Sequence, residues 1–109
     1  MAADKVIANY DVMGPVKAAL ESAVRYLAQE LGPKRIRVHA VSPGPIKTRA
    51  SSGLKDFERS LDEAARRAPL GELVDIDDVG MATACLAMPY ARRITGSTFY
   101  VDAGLNIMG

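Results

Sequence analysis

The chain has 109 residues, 49% of them hydrophobic and 25% charged, with a formal net charge of +1, the composition of a globular domain with a modest core. So small a charge supplies no bulk attraction to nucleic acid or anionic lipid, and the single cysteine, Cys85, excludes an internal disulfide framework and a multi-cysteine metal site while pointing to a reducing compartment. No apolar run approaches the roughly 20 residues that cross a bilayer, and the N-terminus lacks the basic-then-apolar pattern of a signal peptide.

Val16, Leu20, Val24, Leu27 and Leu31 recur at helical spacing, which predicts a helix from Tyr10 or Val12 to about Leu31, ended by Gly32-Pro33. Pro15 suits that helix only in the first turn, because deeper in it the ring would meet the carbonyl of Asp11. Ile36 to Val41, rich in β-branched residues, predicts a strand stopped by Ser42-Pro43-Gly44-Pro45. Ile46 to Gly53 reads as a loop. A second helix from about Leu54 to Arg67 places Phe57, Leu61, Ala64, Ala65 and Ala68 on one apolar side, with Arg66 and Arg67 at its negative end. Asp75 is the expected N-cap of a third helix that stops before Pro89. Ser97 to Val101 then forms a last strand, closed by Asp102-Ala103-Gly104.

Two strands joined through a helical crossover predict a parallel βαβ unit with a right-handed connection. A parallel sheet wants cover on both faces and neighbours at its edges, and two strands supply at most half of that. No Gly-x-Gly-x-x-Gly turn follows an N-terminal strand, so the dinucleotide fingerprint is absent. The expectation is the second half of a larger α/β domain.

Tyr10 and Lys17 carry the chemical signal. A separation of seven returns to within about 20° of the same helical face, roughly 10.5 Å along the axis. Helical side chains lean toward the N-terminus, so the long lysine reaches back toward the phenol, where its charge favours the phenolate.

The order of these blocks resembles the short-chain dehydrogenase/reductase superfamily, and within it the NADH-dependent enoyl-acyl-carrier-protein reductases. The likeness runs through Asn9-Tyr10-Asp11-Val12-Met13-Gly14, Lys17-Ala18-Ala19-Leu20-Glu21, Val24-Arg25-Tyr26-Leu27-Ala28, Ile36 to Ser42, Gly44-Pro45-Ile46-Lys47-Thr48, Ser52-Gly53, Asp77-Asp78-Val79-Gly80 and Tyr100-Val101-Asp102. Carbonyl-reducing members place the tyrosine four residues before the lysine, where this chain has Met13; enoyl reductases use the Tyr-x6-Lys spacing found here. The resemblance implies the C-terminal half of a Rossmann-type doubly wound parallel sheet, with two strands and about three helices. Residues 1–109 would then form one partial Rossmann-like reductase domain without the N-terminal dinucleotide-binding half.

It also implies a reaction, the NADH-dependent reduction of a trans-2-enoyl-acyl-carrier-protein in fatty acid biosynthesis, carried out by a complete enzyme. Tyr10 would stabilise the enolate at the thioester carbonyl, and Lys17 would hold the nicotinamide ribose. Ile46, Lys47, Thr48, Arg49 and Ala50 would line the cofactor, while Tyr10, Met13, Ala50, Ser51 and Phe57 would border the acyl chain beneath a lid of about Ala50 to Leu61. The expected partner is acyl carrier protein bearing an enoyl thioester, the expected assembly a cytoplasmic homotetramer, and no metal, nucleic acid or membrane is called for. Ala103 stands where the family usually has glycine, which matters if the position needs positive φ.

Two other readings stand beside this one: a carbonyl-reducing member of the same superfamily, and an inactive truncated module that only associates with other subunits. Lys47, Arg49, Lys55 and Arg59 fit either electrostatic steering of an acidic carrier or a solvated basic face. Thr48 fits either a phosphate contact or a helix N-cap. His39, inside the predicted strand without a partner at metal spacing, reads as a packed or edge histidine. Cys85 reads as a buried, inert thiol.

Overall fold

The computed structural model describes residues 4–6, 12–47 and 55–109. Three helices, α1 (Met13–Leu31), α2 (Lys55–Arg67) and α3 (Ile76–Ala87), accompany two strands, β1 (Ala40–Pro43) and β2 (Thr98–Val101), with short 3₁₀ turns at Gly32–Lys34, Pro89–Ala91 and Leu105–Ile107. The strands pair in parallel as a two-stranded sheet, the expected α/β pattern. The chain divides into two units, one of Met1–Ala40 with Ala87–Phe99 and one of Val41–Leu86 with Tyr100–Gly109.

In the first unit, α1 begins at Met13, so Pro15 lies in its opening turn, where its missing N–H costs nothing. The helix ends at Leu31, at the Gly32-Pro33 step expected from the sequence. Gly32 donates its N–H to Ala28 O, the chain tightens into a 3₁₀ turn, and Arg35 ends it at φ 61°. Val24 and Ala28 are buried on α1, and Ala91 is buried on the Pro89–Ala91 turn. Gly96, at φ 79°, approaches so closely that an added Cβ would lie 3.4 Å from Ala28 Cβ.

The first strand is shifted from its expected place, because β1 runs from Ala40 to Pro43 rather than from Ile36 to Val41. Residues 36–39 precede the ladder, and Val38 bonds instead to the loop before β2. Its N–H donates to Thr95 Oγ1 at 2.9 Å, and its carbonyl accepts from Gly96 N–H at 2.8 Å. Ladder pairing begins with Ala40 N–H to Ser97 O at 3.1 Å. Pro43 closes the strand from inside it, since a proline whose missing N–H faces away from the partner is tolerated in an edge strand.

In the second unit, α2 buries Leu61 and half-buries Phe57, Ala64 and Ala65, and its apolar side continues to buried Ala68. Asp56 and Glu58 sit in its first turn, and Arg66 and Arg67 in its last, the polarity a helix dipole favours. Asp75 caps α3 as expected, through a reciprocal pair: Asp75 Oδ1 accepts the Asp78 N–H and Asp78 Oδ2 accepts the Asp75 N–H, each at 2.9 Å. Ala103 adopts φ 55°, the left-handed conformation that would favour glycine. Among the described residues, no helix is long and apolar enough to cross a membrane.

Candidate functional site

The candidate residues fall into two groups. Met13 and Lys17 belong to the first unit, four residues apart on α1 and hence on neighbouring turns of one face. Lys17 is exposed and Met13 is 43% exposed. An ammonium presented this way has three donors available for ligand hydroxyls. Tyr10, the intended partner of Lys17, lies outside the described residues, as do Thr48, Arg49, Ala50 and Ser51.

Ile46, Lys47 and Phe57 belong to the second unit. Ile46 is half-buried and Lys47 exposed, directly beyond β1, and Phe57 is half-buried in the first turn of α2. Lys47 Nζ lies 3.7 Å from Glu58 Oε1, with the two side chains 60% and 48% exposed. A solvated pair of this kind contributes little stability. It does tie the segment after β1 to α2, and it partly neutralises the basic patch that Lys47 would otherwise extend. The exit of β1 is fixed more firmly by Gly44, whose N–H donates to Val101 O at 3.0 Å.

The remaining titratable groups behave differently from one another. His39 is half-buried, and burial first and the Arg37 guanidinium second hold its pKa below the ordinary 6.5. This is the packed histidine expected from the sequence. Cys85 reverses its expectation: the thiol is exposed, in keeping with α3 as a whole, none of whose residues is buried. Among those residues, no cluster of His, Cys, Asp and Glu is arranged to hold a metal ion. Asp102 was legible only as a turn residue, yet it is the one buried charged side chain described. Its signal is an aspartate followed at short range by glycine and asparagine, the composition of a side-chain-closed turn.

A family model described as "Enoyl-(Acyl carrier protein) reductase" matches residues 1–106. The chain is 49% identical over 107 residues to the enoyl-[acyl-carrier-protein] reductase [NADH] of Rickettsia prowazekii and 43% identical over 107 residues to that of Escherichia coli. Each alignment covers 98% of this chain but 41% of the relative, so the chain spans about two-fifths of the length of the curated relatives it matches. A Bacillus cereus enoyl-acyl carrier protein reductase, solved with NADP+ and indole naphthyridinone, superposes with a TM-score of 0.90 at 42% identity over 100% of this chain and 42% of its own. The Anaplasma phagocytophilum enzyme, solved with NAD, gives a TM-score of 0.88 at 45% identity over 99% of this chain and 41% of its own. These neighbours have the Rossmann-like fold anticipated from the sequence.

Proposed function

Since this chain belongs to the enoyl-(acyl carrier protein) reductase family, we propose that it forms the substrate-side part of an NADH-dependent reductase of trans-2-enoyl-acyl-carrier-protein in fatty acid biosynthesis. The observation that carries the reading is the match over residues 1–106, which includes Tyr10, Lys17 and the segment after β1. Met13, where carbonyl-reducing members have tyrosine, argues for a carbon–carbon double bond as the reducible group. Residues 1–109 are read as one partial domain, completed by a dinucleotide-binding half.

The donor set suits a nicotinamide cofactor. Lys17 offers ammonium donors to ribose hydroxyls, and Gly44-Pro45 leads Ile46 and Lys47 out of β1, with Thr48, Arg49 and Ala50 continuing the contact. When bound, the cofactor supplies hydride to the β-carbon of the enoyl chain. Tyr10 donates a hydrogen bond to the thioester oxygen as negative charge grows there, an effect commonly worth about 3 to 4 kcal/mol. Lys17 places positive charge beside the Tyr10 hydroxyl and keeps it a better partner for that oxygen. Proton return at the α-carbon completes the saturated chain. Met13, Ala50, Ser51 and Phe57 border the acyl group and exclude water from it.

A homotetramer in the cytoplasm is the proposed setting. Val16 at 51% and Leu20 at 54% exposure on α1, with Ile76 at 70% and Met81 at 68% on α3, are apolar surface suited to contact between subunits. The coverage of 41% of the relatives favours a corollary, that catalysis belongs to the completed assembly and the isolated chain binds NADH weakly or not at all.

The test is NADH consumption with crotonyl thioester by a complete enzyme carrying these residues, with NADPH and 3-oxoacyl thioesters in the same panel. Tyr10→Phe and Lys17→Ala are expected to slow turnover. Undiminished rates in both variants would remove the residue assignment, and preference for the 3-oxoacyl substrate would transfer the chain to the carbonyl-reducing branch.

A further inference from the structure

The turn after β2 supports two other segments of the second unit at once. Asp102 is only 8% exposed, and its carboxylate is fully engaged. Oδ1 accepts the Gly104 N–H at 3.0 Å and the Asn106 side-chain amide at 3.1 Å, while Oδ2 accepts the Asn106 backbone N–H at 2.8 Å. Three bonds to a carboxylate over five residues give the turn one conformation, and bonds with an ionised partner are the stronger kind.

On one side of this turn lies Gly44. A Cβ there would stand 2.9 Å from Asp102 Cβ and 3.1 Å from its Cα, so the backbone leaving β1 rests on Asp102 itself. On the other side, Leu70 N–H donates to Ala103 O at 3.2 Å, and a Cβ on Gly104 would meet the Pro69 ring at 2.8 Å. The acceptors for Gly44 and Leu70 are the carbonyls of Val101 and Ala103, the two neighbours of Asp102. The start of the segment carrying Ile46 and Lys47 and the end of the one carrying α2 thus share a single footing.

We propose that Asp102 is a positioning residue for the cofactor and substrate contacts: its carboxylate fixes the turn at 102–106, and the turn fixes both where the chain leaves β1 toward Ile46 and Lys47 and where α2 hands over to Pro69-Leu70. The functional half of this inference rests on the reading of Ile46, Lys47 and Phe57 as site residues. The shared footing does not.

Amide hydrogen exchange resolved by NMR on the full 109-residue chain tests it. In Asp102→Ala, Gly44 and Leu70 are expected to exchange about tenfold faster or more, and the Ile46 and Lys47 resonances to move, while Val24 and Ala28 in α1 keep their protection. Asp102→Asn keeps one acceptor oxygen but turns an NH2 donor toward the place of the other, which faces a donor of the turn, so it is expected to restore only part of the protection. Unchanged exchange at both Gly44 and Leu70 in Asp102→Ala overturns the proposal. If that variant also loses protection in α1, Gly44→Ala decides: its methyl presses on Asp102, so faster exchange at Leu70 supports the shared footing and unaltered exchange there refutes it. The readout needs no cofactor, so it stands or falls independently of the NADH assignment.

Discussion

The imidazole of His39 meets the ring of Phe99 edge to face, with centroids 5.5 Å apart and planes at 76°. Arg37 Nη1 lies 3.4 Å from His39 Nε2, and because a guanidinium only donates, Nε2 is the acceptor and Nδ1 carries the proton. Nδ1 is buried without a hydrogen-bond partner. Protonation would turn Nε2 into a second donor facing Arg37 and place a charge in a half-buried site. The folded pKa is accordingly below 6.5, chiefly through burial and then through Arg37.

The sign of the linkage follows. Below the unfolded value the unfolded chain takes up a proton that the folded chain refuses, so the histidine's contribution is complete above that value and is lost as pH falls through the folded one. Thermal midpoints are expected to decline as pH falls below the ordinary histidine value of 6.5, and to decline less in His39→Gln. Parallel curves for the two proteins would remove His39 as the cause.

The cap of α3 rests on Asp75 and Asp78 bonding each other's backbone amides. Asp75→Ala is expected to cost about 1 kcal/mol in urea unfolding, and Asp75→Ser only a few tenths, because serine keeps a capping oxygen. Equal losses for the two substitutions would mean that the carboxylate acts by charge and not as a cap.

Ala103 and Gly104 both have positive φ, at 55° and 88°, but respond in opposite ways to exchange of their side chains. Ala103→Gly relieves a left-handed alanine worth about 1 to 2 kcal/mol, offset in part by the freer unfolded chain, and a net gain of up to about 1 kcal/mol is expected. Gly104→Ala adds the same strain and also drives a methyl into Pro69, so it should lose at least about 2 kcal/mol. Chemical denaturation of both variants checks the pair, and a loss in Ala103→Gly would contradict the assigned backbone.

Cys85 is exposed, so in dilute native protein it is expected to react with an aromatic disulfide reagent at a rate close to that of the unfolded chain. If α3 packs against a second copy, that rate falls as protein concentration rises. Slow reaction at every concentration would restore the buried thiol.

Much of this architecture was legible because it is written locally. The cap at Asp75, the polarity of α2 and the first-turn position of Pro15 follow from the residues themselves. The strand shift came from elsewhere: Ile36 and Val38 encode extended backbone, but whether extended backbone becomes ladder depends on Thr95, Gly96 and Ser97, which are distant in sequence. Cys85 failed for a related reason, since periodicity identifies a face of α3 and says nothing about what covers it. At Ala103 the family glycine marked the position as one where a positive φ would matter, and the backbone there does adopt it. The contact between Asp102 and Gly44 left no such trace, as neither residue is unusual in its own neighbourhood.

Pro43 gives β1 a property that bears on how a further strand can join the sheet. Ala40 and Gly44 send their N–H groups to Ser97 and Val101 of the β2 side, so by alternation the groups of Val41 and Pro43 face the opposite edge. A proline has no N–H to offer, and that edge is left with Val41 as its only donor within the strand. An incoming strand there finds one donor, the Val41 N–H, beside the carbonyl acceptors of Val41 and Pro43. The residue that looked like a full stop in the sequence therefore also limits what can be added there: a strand joining that side, which has no neighbour among the described residues, must do without a second donor from β1.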